Sequence, residues 1–158
     1  MEVSARLAVP ADIPDLIRLY RRLTEEMVAL KAVWAVTEGL PEPIDEAFGA
    51  AIADEGAWVA LGLLDGVPVG FLLARSEALL PQGGGDRIAA VRLLYTEPEA
   101  REVGVGEALM GGFVEARRAE GYRYFDAHVS PGHRLAKNFF ESNGFKARHI
   151  VMHHDAGA

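Results

Sequence analysis

The chain has 158 residues, of which 16 are basic and 23 acidic, a formal charge of −7 and no cysteine. The acidic balance disfavours a non-specific nucleic-acid binder, and the lack of cysteine excludes disulfides, a thiolate nucleophile and Cys-ligated zinc. The N-terminus lacks the charged and apolar regions of a secretion signal, and no apolar run reaches the roughly 18 residues of a membrane span. We therefore expect a cytoplasmic protein with neither nucleic acid nor membrane as a partner.

The first third of the chain predicts one strand followed by two helices. Residues 4–9 have the composition of a short strand. Apolar residues at helical spacing then predict a helix from Asp12 to about residue 31. Residues 32–43 have no clean period and contain two prolines, so we expect a loop there, with at most a helical turn. A second, short helix follows between its cap, Asp45, and Gly56.

The rest of the chain predicts a sheet connected by helices. Asp65-Gly66 between two apolar runs predicts a hairpin of two strands. After it come a strand over 87–96, a helix over 104–121, a strand over 122–129, a helix over 132–144 and a final strand over 145–154. The resulting order, β-α-α-β-β-β-α-β-α-β, is that of a mixed α/β fold.

Two glycines, Gly104 and Gly106, stand in the first turn of a predicted helix, although glycine costs roughly 0.8–1.0 kcal/mol against alanine in a helix interior. The first N–H groups of a helix have no internal partner and attract anions, which glycine lets approach the backbone. Arg101 would add charge. The simpler alternative is that the glycines only permit a tight strand-to-helix turn. Leu109 replaces the third glycine of a dinucleotide fingerprint, and Glu107 replaces the Walker A lysine, so both of those loops are disfavoured.

The stretch LLYTEPEAREVGVGEALM resembles the central signature of the GNAT superfamily of N-acetyltransferases, in which an apolar strand, a proline and Arg/Gln-x-x-Gly-x-Gly/Ala lead into a helix. Residues 101–106 match that motif. Downstream, AKNFFESNGF resembles the family's Ala-x-x-x-Tyr-x-x-x-Gly-Phe motif, and VALGLLDGVPVGFLLA resembles its second and third strands. The resemblance covers residues 3–153, which we interpret as a single N-acetyltransferase domain followed by a frayed tail over 154–158.

The resemblance implies a twisted sheet whose fourth and fifth strands splay into a V that holds acetyl-CoA, without a metal. Pantetheine would pair with the fourth strand, and the pyrophosphate would take the N–H groups of residues 102–107. The implied cofactor-binding residues are Leu94, Tyr95, Thr96, Arg101, Glu102, Val103, Gly104, Val105, Gly106 and Glu107, with His133, Lys137 and Phe140 further on. For Lys137 the alternative interpretation is that it is an ordinary solvated lysine. An amine of a small molecule, peptide or protein would attack the thioester directly.

Departures from the family pattern leave the proton-transfer groups open. Phe140 stands where the family often has a Tyr that protonates the leaving thiolate, and His133 stands where it often has an Asn. The family's Glu base on the fourth strand has no counterpart between Asp86 and Tyr95. His128 and His133 are the nearest catalytic candidates, because the pKa of histidine suits proton transfer near neutrality. A structural histidine, or for His133 a role in capping or in orienting pantetheine, is the simpler interpretation of each.

Other functions remain alternatives at this stage. The missing Tyr and Glu would suit a non-catalytic acyl-CoA-binding or regulatory module of the same fold. Room for a longer acyl group would come from Ala89, Ala90 and Ala127. A homodimer is compatible with the sequence. His149 and His153 would share one strand face but lie roughly 13 Å apart along it, too far for a single ion, so no metal site is expected.

The acceptor side carries only weak signals. Trp34 lies in the irregular segment where this fold usually builds its acceptor site. Glu25, Glu26 and Glu38 from the same region would attract a cationic amine, although a solvated acidic helix face is the simpler interpretation.

Overall fold

The computed structural model of the protein describes residues 1–31 and 33–157. Ala32, which begins the expected loop, and Ala158, which ends the expected tail, lie outside the described residues. Contacts divide the chain into two compact units, Met1–His128 and a second one that begins at Val129.

A five-stranded sheet forms the centre of the first unit. Its strands are β1 (Val3–Leu7), β2 (Ala57–Leu64), β3 (Val67–Ala78), β4 (Arg87–Thr96) and β5 (Tyr124–Ala127), in that spatial order. β1 to β4 pair antiparallel, whereas β5 pairs parallel to β4. The hairpin between β2 and β3 turns at Asp65 and Gly66, which have φ angles of 50° and 79°. These left-handed angles suit the Asp-Gly pair that predicted the hairpin.

Helices cover both faces of this sheet. The first unit contains α1 (Ile13–Leu30), α2 (Trp34–Thr37), α3 (Ile44–Ala53) and α4 (Val105–Ala119). Short 3₁₀ turns lie at Pro10–Asp12, Pro81–Gly83 and Pro98–Ala100. The second unit contains α5 (Arg134–Ser142). The mixed α/β fold expected from the sequence is confirmed, and the irregular segment before α3 contains the one helical turn, α2, that the sequence allowed.

The main core lies between the sheet and α1–α3. An aromatic chain crosses it, in which Phe48 packs edge-on against both Tyr20 and Phe71 at ring-centre distances of 6.0 Å. Trp34 is buried on the same cluster and its ring centre lies 6.4 Å from that of Tyr20. Trp34 is therefore a core residue. On the opposite face α4 buries an apolar stripe that includes Val105, Leu109, Met110 and Phe113.

β4 changes register at its middle, at the point where its pairing with β5 ends. Leu73 of β3 faces Leu93, but Ala74 faces Val91, so Arg92 is an extra residue on β4 and forms a bulge. β5 pairs with β4 only over Ile88–Val91. The segment 92–96 of β4 consequently extends past β5, with β3 as its neighbour. The resemblance implied that the fourth and fifth strands separate, and β4 does continue beyond the last residue of β5.

The structure differs from the expected order at the C-terminal end. Residues 145–154 were expected to form a final strand, but residues 145–157 contain neither helix nor strand. α5 ends before Gly144, whose φ of 90° reverses the chain, and the Phe145 N–H returns to the Phe140 carbonyl oxygen at 3.0 Å. A strand needs a pairing partner for its backbone groups, and the described part of the second unit contains no other strand. Ile150, Val151 and Met152 are exposed there.

Candidate active site

The turn that leads into α4 has an unusual backbone. After β4 the chain passes through the turn at Pro98–Ala100, and two residues then take left-handed angles, Glu102 with φ 69° and Gly104 with φ 100°. Gly104 is the N-cap of α4 and supplies no side-chain hydrogen bond. A Cβ at Gly104 would meet nothing within 4 Å, so the backbone angle, and not crowding, favours glycine at this position.

The N-terminus of α4 presents backbone donors. Its first hydrogen bond runs from the Ala108 N–H to the Gly104 carbonyl oxygen at 3.0 Å. The N–H groups of Val105, Gly106 and Glu107 precede that bond, and a helix provides them with no acceptor of its own. The positive end of the helix dipole lies at the same place. Gly106 lies inside the helix and has no positive φ, so the tight turn that explains Gly104 does not explain Gly106.

Gly62 of β2 sets the depth at which this helix end lies on the sheet. A Cβ at Gly62 would lie 2.5 Å from Cγ1 of Val105 and 3.0 Å from Cδ1 of Leu109. Only glycine therefore lets the first turn of α4 approach β2 this closely. Sequence reasoning missed Gly62, and the available signal was a glycine inside an otherwise apolar strand.

The side chain of Arg101 makes three contacts with other described residues. Its Nε donates to the Thr96 carbonyl oxygen at 2.9 Å, and its Nη2 donates to Oε1 of Glu26 at 2.7 Å. The guanidinium also lies over the Tyr95 ring, 5.6 Å from its centre. The contact between Arg101 and an anion that the motif suggested stays a prediction.

Charged residues of α1 hold the end of β4 in place. Tyr95 is buried, and the positive charge of Arg22 on α1 lies near its hydroxyl. Burial raises the pKa of Tyr95 above its ordinary value, and Arg22 opposes that shift in part. Arg18 donates to Oε1 of the buried Glu97 at 2.5 Å and to the Pro68 carbonyl oxygen at 3.0 Å. These α1 residues were not expected from the sequence, because their partners lie between 50 and 79 positions away along the chain.

Three expected pantetheine contacts, Leu94, Tyr95 and Thr96, lie in the segment of β4 beyond β5. Each pairs with β3 on one side, opposite Leu72, Phe71 and Gly70 respectively. Their other strand edge continues past the end of β5. Residues 94–96 and 101–107 both lie in the first unit, on either side of the turn at Pro98–Ala100, and their contacts with CoA stay a prediction.

The remaining candidates lie at or after the end of the first unit. His128 follows β5, and its N–H donates to the Val91 carbonyl oxygen at 2.9 Å. His133 is the N-cap of α5, where its carbonyl oxygen accepts the Lys137 N–H at 3.0 Å. The Lys137 ammonium lies 3.1 Å from Oε1 of Glu141, and both side chains are about half exposed, which suits a solvated helix pair.

Phe140 lies on α5 in an aromatic cluster. Its ring centre is 5.3 Å from those of Phe139 and Phe145, and both contacts are edge-on. The roles of Phe140, His128, His133 and Lys137 stay predictions.

The acidic residues of the expected acceptor region mostly have partners. Glu26 pairs with Arg101, and Glu38 lies 3.7 Å from the Lys31 ammonium. Across residues 1–31 and 33–157, no group of three or more His, Asp or Glu side chains is placed to hold a metal ion. Within the same described residues, no helix combines the length and apolar character of a membrane crossing.

Sequence comparison identifies the class of protein that this fold and helix end define. The model of the Acetyltransferase (GNAT) family matches residues 14–145, which is most of the chain. The chain therefore belongs to the GNAT family, and it is an acetyltransferase that uses acetyl-CoA as its cosubstrate. No curated protein sequence matches the chain.

Solved structures of the same fold cover the whole chain at low identity. A transcriptional regulator from Bacillus halodurans C-125 is 20% identical, with a TM-score of 0.75 over 98% of this chain and 99% of that one. A ribosomal-protein-alanine N-acetyltransferase from Brucella melitensis biovar Abortus 2308 is 18% identical, with a TM-score of 0.72 over 99% and 100%. AAC(6')-Iy, solved with the bisubstrate analog CoA-S-monomethyl-acetylneamine, is 17% identical, with a TM-score of 0.75 over 100% of both chains. At these identities the likeness concerns the fold.

Proposed function

We propose that the chain transfers the acetyl group of acetyl-CoA to an amine by direct attack, with the CoA diphosphate bound at the N-terminus of α4 and pantetheine beside residues 94–96 of β4. The observation that carries this proposal is the left-handed turn at Glu102 and Gly104, which leads into a helix end whose first amides precede the helix's own hydrogen bonds. Family membership favours an enzyme over a non-catalytic CoA-binding module.

The donors at this helix end are of the kind that binds a diphosphate. Backbone N–H groups are neutral donors that bind phosphate oxygens at short range, and the helix dipole adds to them. Gly106 has no side chain that would keep an anion away from these amides. Arg101 is paired with Glu26, so we assign the main contacts with the diphosphate to the amides.

The reaction joins the acceptor nitrogen to the acetyl carbonyl carbon and breaks the bond between that carbon and the CoA sulfur. The acceptor ammonium must lose a proton before attack, and the CoA thiolate gains one after it leaves. We assign the polarisation of the carbonyl to backbone amides of β4 beyond its pairing with β5. We propose His128 and His133 as the candidates for proton transfer.

The acceptor class is proposed as an amine of a small molecule, peptide or protein. Two of the similar structures support a class that includes both protein and small-molecule amines. One is that of a ribosomal-protein-alanine N-acetyltransferase, and the other was solved with the bisubstrate analog CoA-S-monomethyl-acetylneamine. A panel with an aminoglycoside, a peptide with an N-terminal alanine and a simple polyamine, assayed by release of CoA, separates these acceptors. A cytoplasmic location and a homodimer stay predictions.

The site is tested by adding a large side chain at Gly106. Gly106→Trp places an indole at the helix end, and we expect acetyl-CoA affinity measured by calorimetry to fall about tenfold or more, which is at least about 1.4 kcal/mol. Gly111→Trp is the matched control, because Gly111 lies on the exposed face of the same helix and a Cβ there meets nothing within 4 Å. Unchanged affinity in a folded Gly106→Trp variant would refute the proposed diphosphate site.

A further inference from the structure

The contacts of Arg101 connect three parts of the first unit. Through Nε it holds the last residue of β4, through Nη2 it holds Glu26 on α1, and its own backbone begins the turn that leads to α4. The side chains of Arg101 and Glu26 are 26% and 27% exposed. A partly buried ion pair with a short hydrogen bond is stronger than a pair on the open surface.

The turn between Arg101 and α4 needs such a support. Glu102 has a left-handed φ of 69°, an angle that costs a non-glycine residue energy and persists only where the surroundings hold it. The N-cap of α4 makes no side-chain hydrogen bond that would stabilise the turn from within. At its far end the turn is held by Val105, which packs against Gly62. At its near end the holding contacts are those of Arg101.

These contacts also make Arg101 a poor ligand for an anion. To reach a phosphate at the helix end, its guanidinium would give up the carboxylate of Glu26 at 2.7 Å, the Thr96 carbonyl oxygen and the Tyr95 ring. Hydrogen bonds to charged groups are stronger than those between neutral groups. The pairing with Glu26 also neutralises the charge that would attract the phosphate.

We propose that Arg101 is a positioning residue and that Glu26 is its necessary partner: the pair holds the turn 101–104 so that the α4 amides face the diphosphate, and Arg101 does not bind the diphosphate itself. This inference rests on the proposed function, since it takes the α4 N-terminus as the diphosphate site.

Removing the charge of Glu26 distinguishes a positioning role of Arg101 from direct diphosphate binding, because the two roles predict opposite changes in acetyl-CoA affinity. If Arg101 positions the turn, Glu26→Gln weakens acetyl-CoA binding, by about fivefold for the loss of roughly 1 kcal/mol. If Arg101 binds the diphosphate directly, the same substitution releases its guanidinium and leaves the affinity unchanged or tighter. Glu25→Gln is the matched control, because it removes an equal charge from the neighbouring, exposed position of α1.

A double-mutant cycle tests whether the two residues act as a unit. We expect Arg101→Met to weaken acetyl-CoA binding about as much as Glu26→Gln does, and the double variant to be no weaker than the stronger single variant. Affinities are measured by calorimetry on variants whose folding is verified by circular dichroism. Turnover of acetyl-pantetheine, which has no diphosphate, should fall less than the acetyl-CoA affinity does in Glu26→Gln, where Arg101 still donates to the Thr96 carbonyl oxygen.

Two results would overturn the inference: unchanged or tighter binding in Glu26→Gln, or additive losses in the double variant. Gly106→Trp, measured beside them, tells this failure from the failure of the proposed function. If Gly106→Trp weakens binding and Glu26→Gln does not, the diphosphate site stands and the positioning role is rejected. If Gly106→Trp leaves binding unchanged, the diphosphate site is rejected together with the inference.

Discussion

Gly62→Ala tests whether the contact between β2 and α4 sets the position of the helix end. The added methyl group would lie 2.5 Å from Cγ1 of Val105 and 3.0 Å from Cδ1 of Leu109. Both of these side chains are 1% exposed, so neither has free space to enter. Gly62 has no positive φ, which means that alanine suits its backbone and the effect comes from crowding. Overpacking of this kind costs typically about 1–3 kcal/mol.

The loss is measured as the free energy of unfolding in urea, together with the affinity for acetyl-CoA. We expect both to fall, because Val105 is the first residue of α4 and moves when the helix is pushed off the sheet. Val105→Ala removes the atom that the new methyl group meets. The double variant Gly62→Ala/Val105→Ala should therefore lose less unfolding free energy than the two single variants lose together. Strict additivity, or an unfolding free energy in Gly62→Ala equal to that of the parent, would refute the argument.

Two further predictions concern stability in acid and the chemistry. Arg6 hydrogen-bonds the buried Asp12 at 2.7 and 2.9 Å and lowers the pKa of that carboxyl below its ordinary value. The stability that this ion pair contributes is therefore present above the ordinary carboxyl pKa and is lost as the pH falls through the lowered pKa of Asp12. Asp12→Ala should lower the free energy of unfolding in urea by about 1.5–3 kcal/mol at pH 7 and by much less in strong acid. An equal loss at both pH values would contradict this. Phe140→Tyr should raise the rate of acetyl transfer if protonation of the thiolate limits turnover, since general-acid assistance contributes about 10²–10⁴-fold where it is used. If His128 or His133 already transfers the proton, its replacement by Gln should instead lower the rate and remove a limb of the pH–rate profile. If the Phe140, His128 and His133 variants all have the pH–rate profile of the parent, none of these residues carries out the proton transfer.

Local chemistry made much of the fold predictable. Asp65-Gly66 predicted the hairpin because the left-handed angles of its turn depend on those two residues alone. The apolar period of α1 and the two glycines of α4 are likewise properties of short segments. The stretch from Leu94 to Glu107 could be identified as a candidate CoA site because its motif is contiguous.

Features that depend on distant partners could not be predicted in the same way. The bulge at Arg92 follows from the register between β3 and β4, which the uniformly apolar sequence around it does not specify. The pair of Glu26 and Arg101 joins positions 75 residues apart. Residues 145–154 have the composition of a strand, but composition does not supply the neighbouring strand that would satisfy their backbone groups.

The proposed site also explains why glycines, and not basic residues, mark it in the sequence. The chain has a net charge of −7, and Glu102 and Glu107 are exposed on either side of the helix end. Long-range attraction therefore does not favour a polyanion such as CoA, and its binding has to come from short-range donors. Backbone amides supply such donors whatever the surrounding charge, provided that no side chain covers them and that the turn before the helix is held in place. Gly106 meets the first condition, and we assign the second to Arg101, whose charge Glu26 has already neutralised.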